Sequence, residues 1–103
     1  MTGPLAPPPA ATGRAVLDAV VAVFAVPELH IRSARLDQPT VRARQALYLV
    51  LREHLAWTFG RIGRFLARDQ ASCRTGCRVA RRLQCFDFPF ATRVREVIIR
   101  VGL

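Results

Sequence analysis

The chain has 103 residues, 51% of them hydrophobic, so it can form one domain with one packed core and is too apolar for a disordered chain. Its 16 basic residues outnumber 7 acidic ones, for a formal net charge of +9. That surplus favours a polyanionic partner, either nucleic acid or an anionic membrane surface. Every basic residue is arginine, whose planar fork suits phosphates and base edges. Codon bias in a GC-rich genome is an alternative reason for arginine over lysine, but it does not explain the excess over acid.

Targeting and redox signals are weak in this sequence. The apolar run over residues 15–26 contains Asp18 and is too short to span a bilayer. Three cysteines, Cys73, Cys77 and Cys85, form an odd-numbered cluster that makes a poor disulfide framework. We therefore expect a cytoplasmic, nucleoid-associated protein with reduced thiols and no membrane partner.

The first half of the chain predicts helices from residue 14 onward. Residues 1–13 are rich in Pro, Ala and Gly and are predicted to form a flexible tail, with the domain over residues 14–103. The apolar spacing predicts a helix over residues 14–26, closed by Pro27, and then a short helical turn over residues 27–33. A third helix starts at Asp37 or Gln38, beside Pro39, and runs to residue 54. Its stretch 46–51 is apolar on every side, which predicts the central core helix.

The second half predicts a pair of helices joined by a tight turn. Thr58 is the predicted N-cap of a helix over residues 59–66, and Asp69 that of a helix over residues 70–83. A break is predicted over residues 86–90, which contain a proline, followed by an amphipathic helix over residues 91–100 that closes the core. The sequence thus predicts an all-α fold, a small helical bundle that contains a helix-turn-helix.

Basic residues concentrate on this helix pair. Residues 61–82 hold seven arginines and one acid, Asp69, and so contribute +6 of the net charge. On the second helix, small residues at three- and four-residue steps (Cys73, Gly76, Cys77, Ala80 and Leu83) are predicted to face the core, while the arginines face outward. A solvated surface is the commoner fate of such a charge run. Because no acid is interspersed among these arginines, a groove-binding helix is favoured here.

Three motifs in register resemble the C-terminal DNA-binding domain of DnaA-type chromosomal replication initiators, which has a Trp-repressor-like helix-turn-helix. Residues 42–45 (Arg-Ala-Arg-Gln) match an Arg-x-Arg-Gln motif at the start of the family's central helix. Residues 61–66 (Arg-Ile-Gly-Arg-Phe-Leu) resemble its Glu-Ile-Gly-x-x-Phe segment. Residues 68–72 (Arg-Asp-Gln-Ala-Ser) stand where its signature reads Arg-Asp-His-Thr-Thr. The family's Gly-Gly turn is one residue shorter here, with Ala67 alone. The resemblance extends over residues 16–83, about two-thirds of the chain, and the three motifs occur within it in the family's order and spacing.

The resemblance implies sequence-specific binding of double-stranded DNA, in replication initiation control or transcription regulation. Arg42 would enter the minor groove, residues 68–71 would take major-groove and adjacent phosphate positions, and Ser72 and Thr75 would lie near the backbone. The outward arginines of the second helix would flank phosphates. The candidate DNA-binding residues are therefore Arg42, Gln45, Arg68, Asp69, Gln70, Ala71, Ser72, Arg74, Thr75 and Arg78.

Two departures leave alternatives open. Gln70 and Ala71 replace the family's His and Thr, and Gly76 stands where a helix former is usual, so a degenerate copy that binds protein, or a non-specific DNA-coating protein, remains an alternative. The cysteines, His30 and His54 lack the spacing of a metal site. The cysteines are interpreted as buried apolar residues, and His54 as a polar or C-terminal capping residue of its helix. Without lysine there is no Walker motif. We expect no enzymatic activity, cofactor or small-molecule substrate.

Overall fold

The computed structural model describes residues 12–103, and the regular secondary structure in this part of the chain is all helix. Its six helices pack into one bundle without strands, which confirms the predicted all-α class. None of them is long and apolar enough to cross a membrane. The helices are α1 (Gly13–Phe24), α2 (Glu28–Ile31), α3 (Gln38–His54), α4 (Phe59–Leu66), α5 (Gln70–Phe86) and α6 (Phe88–Arg100).

Side-chain caps fix the starts of α3, α4 and α5 where the sequence predicted them. Asp37 accepts a hydrogen bond from the Thr40 amide at 3.3 Å and begins α3. The Thr58 hydroxyl accepts from the Arg61 amide at 3.1 Å and begins α4. Asp69 accepts from the Ser72 amide at 2.8 Å and begins α5. Each cap satisfies a backbone donor that the helix leaves free.

Helix α1 begins one residue earlier than predicted and also ends earlier. Residues 1–11 of the predicted tail lie outside the described part of the chain, but Thr12 caps α1 and Gly13 is its first residue. The helix ends at Phe24, because Ala25 takes the left-handed conformation at φ 54°. Its end therefore precedes Pro27, which instead serves as the N-cap residue of α2.

The predicted break near residue 90 is much shorter than expected. Helix α5 continues to Phe86 and α6 already begins at Phe88, so Asp87 alone separates them. The prediction treated Pro89 as a helix breaker. Pro89 lies in the first turn of α6, where its missing N–H costs no hydrogen bond.

Helix α3 is the centre of the core, as predicted. Every residue from 43 to 51 is buried, and the other five helices all pack against α3. Helix α6 closes the bundle with Val94, Val97 and Val101 buried. Of the three cysteines, Cys73 and Cys77 are buried, but Cys85 is exposed, so the predicted burial was wrong there. The last turn of α5 extends past the core, which leaves the side chain of Cys85 at the surface.

Candidate nucleic-acid interface

The turn between α4 and α5 is short and tightly packed. Ala67 adopts the left-handed conformation at φ 57°, and the Arg68 amide donates to the Gly63 carbonyl at 2.9 Å, which ends α4. A Cβ on Gly63 would lie 2.5 Å from the carbonyl oxygen of Arg68. Glycine at this position therefore allows the turn to fold directly onto α4, and only three residues separate the end of α4 from the start of α5.

The first turn of α5 faces solvent. Asp69, Gln70 and Ala71 are exposed and Ser72 is half-buried. The Asp69 carboxylate accepts from both the amide and the hydroxyl of Ser72, each at 2.8 Å, and these bonds lower the pKa of Asp69. Asp69 therefore stays ionised at neutral pH and is held as a cap, while the side chains of the next two residues remain accessible.

The inner side of α5 is set by small residues packed on α3. Cys73, Cys77 and Ala80 are fully buried, and burial raises the pKa of both thiols. A Cβ on Gly76 would lie 2.5 Å from two ring carbons of Tyr48. The absence of a side chain at Gly76 thus lets α5 lie directly against the Tyr48 ring, which explains a glycine in the middle of a helix.

Gly76→Ala is therefore expected to destabilise the protein despite the higher helix propensity of alanine. The propensity gain is about 1 kcal/mol, whereas overpacking against a buried ring costs roughly 1–3 kcal/mol, and Tyr48 is only 3% exposed. Urea unfolding should give a lower free energy of unfolding than for the parent chain. The control is Thr75→Ala, an exposed neighbour that should be neutral or mildly stabilising. A Gly76→Ala variant more stable than the parent would contradict the packing described.

The outer side of α5 carries a row of arginines with few carboxylates nearby. Arg74, Arg78, Arg81 and Arg82 are all exposed, and Arg81 is paired with Glu53. Within residues 12–103 the other three form no ion pair. The Arg74 guanidinium lies 5.2 Å from the centroid of the Phe59 ring. We call Arg74, Arg78 and Arg82 the α5 arginine row.

Two further arginines, Arg44 and Arg68, meet beside the α4–α5 turn, and both donate hydrogen bonds to backbone carbonyls of the protein. Arg44 is 3% exposed. Its guanidinium donates to four backbone carbonyls, at 2.8 Å for Ile31, 2.6 Å for Arg35 and 3.1 Å for His30, with Ser33 as the fourth. Arg68 Nη1 donates to the same Ser33 carbonyl at 2.9 Å. Burial and the charge of Arg68 lower the pKa of Arg44.

Arg68, predicted to contact DNA, thus lies partly inside the bundle. Its Nε is buried and has no hydrogen-bond partner among residues 12–103. Sequence reasoning missed Arg44 as the residue that holds the α2–α3 loop, because a buried arginine bound only to carbonyls leaves no signal in the local pattern.

A groove between α3 and α5 brings half of the predicted residues together. Its volume is about 380 Å³, and one wall consists of the α5 residues 71–79 that face α3. The predicted residues that line the groove are Gln45, Arg68, Ala71, Ser72 and Thr75. Asp69, Gln70, Arg74 and Arg78 are exposed outside it. Arg42 does not line this groove but donates from Nη1 to Gln45 Oε1 at 2.9 Å.

No family model, curated protein or solved structure matches this chain. Assignment of the surface therefore depends on its own geometry and on the three motifs noted in the sequence. The geometry consists of an exposed first turn of α5, the α5 arginine row, and a groove against α3.

Proposed function

We propose that this chain binds double-stranded DNA sequence-specifically, with α4 and α5 acting as a helix-turn-helix of the DnaA C-terminal, Trp-repressor-like type. Helix α5 lies in the major groove with its first turn toward base edges. The observation that carries the proposal is the combination of an exposed Gln70 and Ala71 with the α5 arginine row on one rigid helix. The biological role proposed is control of replication initiation or of transcription.

The chemistry of the exposed residues suits the two tasks of such a helix. The Gln70 amide can donate and accept at once, as bidentate pairing with adenine requires, and Ala71 can contact a thymine methyl group. The guanidinium groups of the α5 arginine row suit phosphates on either side of the groove. Base-edge contacts would give specificity, and phosphate contacts would give affinity that falls steeply with salt.

Selection of bound duplexes from a random pool, read by sequencing, tests the proposal. The expected result is an enriched site that the purified chain binds saturably. Enrichment of no sequence, together with salt-dependent binding to all duplexes, would support the non-specific coating alternative instead. Absence of any duplex binding at about 50 mM salt would contradict the proposal, because phosphate contacts bind most strongly at low salt.

Gln70→Ala is expected to change the preference at one base position of the selected site by roughly 1–3 kcal/mol. Binding to duplexes that already differ at that position should change little, because phosphate contacts are retained. The measurement is a competition titration with each of the four base pairs at every position. Arg78→Ala is the matched comparison and should weaken all duplexes by a similar factor. Equal loss on all sequences for Gln70→Ala would place Gln70 among the backbone contacts.

One observation favours the alternative of a protein-interaction module. Phe86 and Phe88 are 85% and 80% exposed on either side of Asp87, and exposed aromatic residues are enriched at protein interfaces. This exposed surface consists of two side chains and lies at the opposite end of α5 from Gln70. A partner bound there would therefore be compatible with DNA bound at the first turn of α5. Gly76, in contrast, no longer argues for a degenerate copy, because the Tyr48 ring occupies the space beside it.

A further inference from the structure

A second cleft lies where α3 and α6 begin, beside the end of α1. Its volume is about 450 Å³. It shares no lining residue with the α3–α5 groove, and the hydrogen bond between Arg42 in the cleft and Gln45 in the groove links the two. The side chains that line the cleft include Phe24, Gln38, Arg42, Asp87, Phe90 and Arg93.

Positive charge exceeds negative charge in this cleft. Arg42 binds the neutral amide oxygen of Gln45, and the Arg93 guanidinium lies 6.0 Å from the centroid of the Phe24 ring. Among residues 12–103 neither arginine forms an ion pair. Asp87 is the single carboxylate among the lining residues, and it accepts from the Phe90 amide at 3.0 Å. The cleft therefore holds the two cations of Arg42 and Arg93 and the carboxylate of Asp87, which already caps α6.

The positive ends of two helices add to this field. Helices α3 and α6 have 17 and 13 residues, and both start at the cleft; the N-terminus of a helix favours an anion. The caps Asp37 and Asp87 use one amide of each first turn, and Pro39 and Pro89 lack an N–H. The cationic side chains that line the cleft and can contact an anion there are Arg42 and Arg93.

We infer that Arg93 binds a backbone phosphate of the DNA from α6, at the edge of the minor groove that Arg42 enters. This inference depends on the proposed function. The minor groove is only about 6 Å wide, so a side chain inside it is flanked closely by phosphates. Arg93 lines the same cleft as Arg42, and its planar fork can bind a phosphate with two parallel hydrogen bonds. The contact extends the footprint beyond α5 to the last helix, whose predicted role was only to close the core.

The test compares Arg93→Gln with Arg95→Gln on the selected duplex. Both residues are exposed on α6, but Arg95 lines a different surface, with Gln84, Ala91 and Ile98. Loss of one phosphate contact reduces the slope of log affinity against log salt by about 0.9. For Arg93→Gln the affinity should therefore fall about fifteenfold at ~50 mM salt and about fourfold at ~200 mM. Arg95→Gln should leave the slope unchanged. Thermal unfolding of both variants without DNA separates lost contact from lost fold.

Ethylation interference locates the contact on the DNA. One phosphate beside the minor groove should interfere when ethylated with the parent chain and not with Arg93→Gln. Equal slopes and identical interference patterns for the parent chain and Arg93→Gln would overturn this inference while the proposed function stood. If the parent chain selects no duplex, the proposed function itself fails and the inference fails with it.

Discussion

Replacing Arg74, Arg78 and Arg82 together by Gln is expected to remove most of the affinity for duplex DNA. These side chains are exposed, and no carboxylate within residues 12–103 forms an ion pair with them, so their charge is available to phosphates. Three lost phosphate contacts reduce the salt slope by about 2.7 and the affinity by on the order of a thousandfold at 50 mM salt. Fluorescence anisotropy titrations with the selected duplex at several salt concentrations measure both quantities.

The matched control removes the same charge elsewhere. Arg14, Arg95 and Arg100 are exposed on α1 and α6, and their triple Gln variant has the same net charge as the test variant. Its salt slope should stay close to that of the parent chain, because long-range charge effects are largely screened beyond about 10 Å at 0.1 M salt. Equal loss of affinity in the two triple variants would show that net charge, and not the α5 surface, drives binding.

Arg44→Leu is expected to cause a larger loss of stability than any of the other substitutions. The guanidinium of Arg44 donates to the carbonyls of His30, Ile31, Ser33 and Arg35, all at or just after the end of α2. Leucine fills part of the space but removes the guanidinium donor from the Ile31 and Arg35 carbonyls, while the Ser33 carbonyl keeps Arg68 and the His30 carbonyl keeps the amide and hydroxyl of Ser33. Each buried polar group left unpaired costs about 1–3 kcal/mol. We expect a loss of roughly 3 kcal/mol or more, which lowers Tm by about 15 °C.

Two comparisons make the Arg44 experiment decisive. Arg95→Leu removes an exposed arginine and should change the free energy of unfolding by less than about 0.5 kcal/mol. Arg44→Lys keeps the charge but lacks the planar fork, so it should recover only part of the lost stability. Urea unfolding of the three variants provides the measurement. If Arg44→Leu unfolded within about 1 kcal/mol of the parent chain, the carbonyl cluster would have no importance for stability.

Sequence reasoning succeeded where the determinants are local. Thr58 and Asp69 were identified as caps, and Asp37 as one of two candidates with Gln38, because the acceptor and the amide that it caps lie only three residues apart. The central position of α3 followed from a run that is apolar on every side. Helix ends were harder to predict: α5 has no glycine near Phe86 to mark its end, and Pro89 was taken for a breaker although a first-turn proline is compatible with a helix.

The candidate site depends on contacts between distant segments, which the sequence pattern does not encode. Arg68 and Arg44 both reach the Ser33 carbonyl, and that convergence appears only when the α2–α3 loop is placed against the α4–α5 turn. The reason for Gly76 likewise requires the position of the Tyr48 ring. The sequence predicted that the helix carrying Arg93 closes the core. The position of Arg93 in the cleft beside Arg42 is what indicates a second role for it.

The single-residue junction at Asp87 has a consequence for how the protein and the duplex adapt to each other. The Asp87 amide donates to the Leu83 carbonyl at 2.8 Å and its carboxylate accepts from the Phe90 amide, so one residue ends α5 and starts α6. A one-residue junction restricts the movement of α5 relative to α6, and the tight turn after α4 restricts the other end of α5 in the same way. The proposed reading helix therefore cannot tilt independently. In the proposed complex the DNA has to bend or twist to fit, and easily deformed base steps become part of the preferred site even where no side chain touches them.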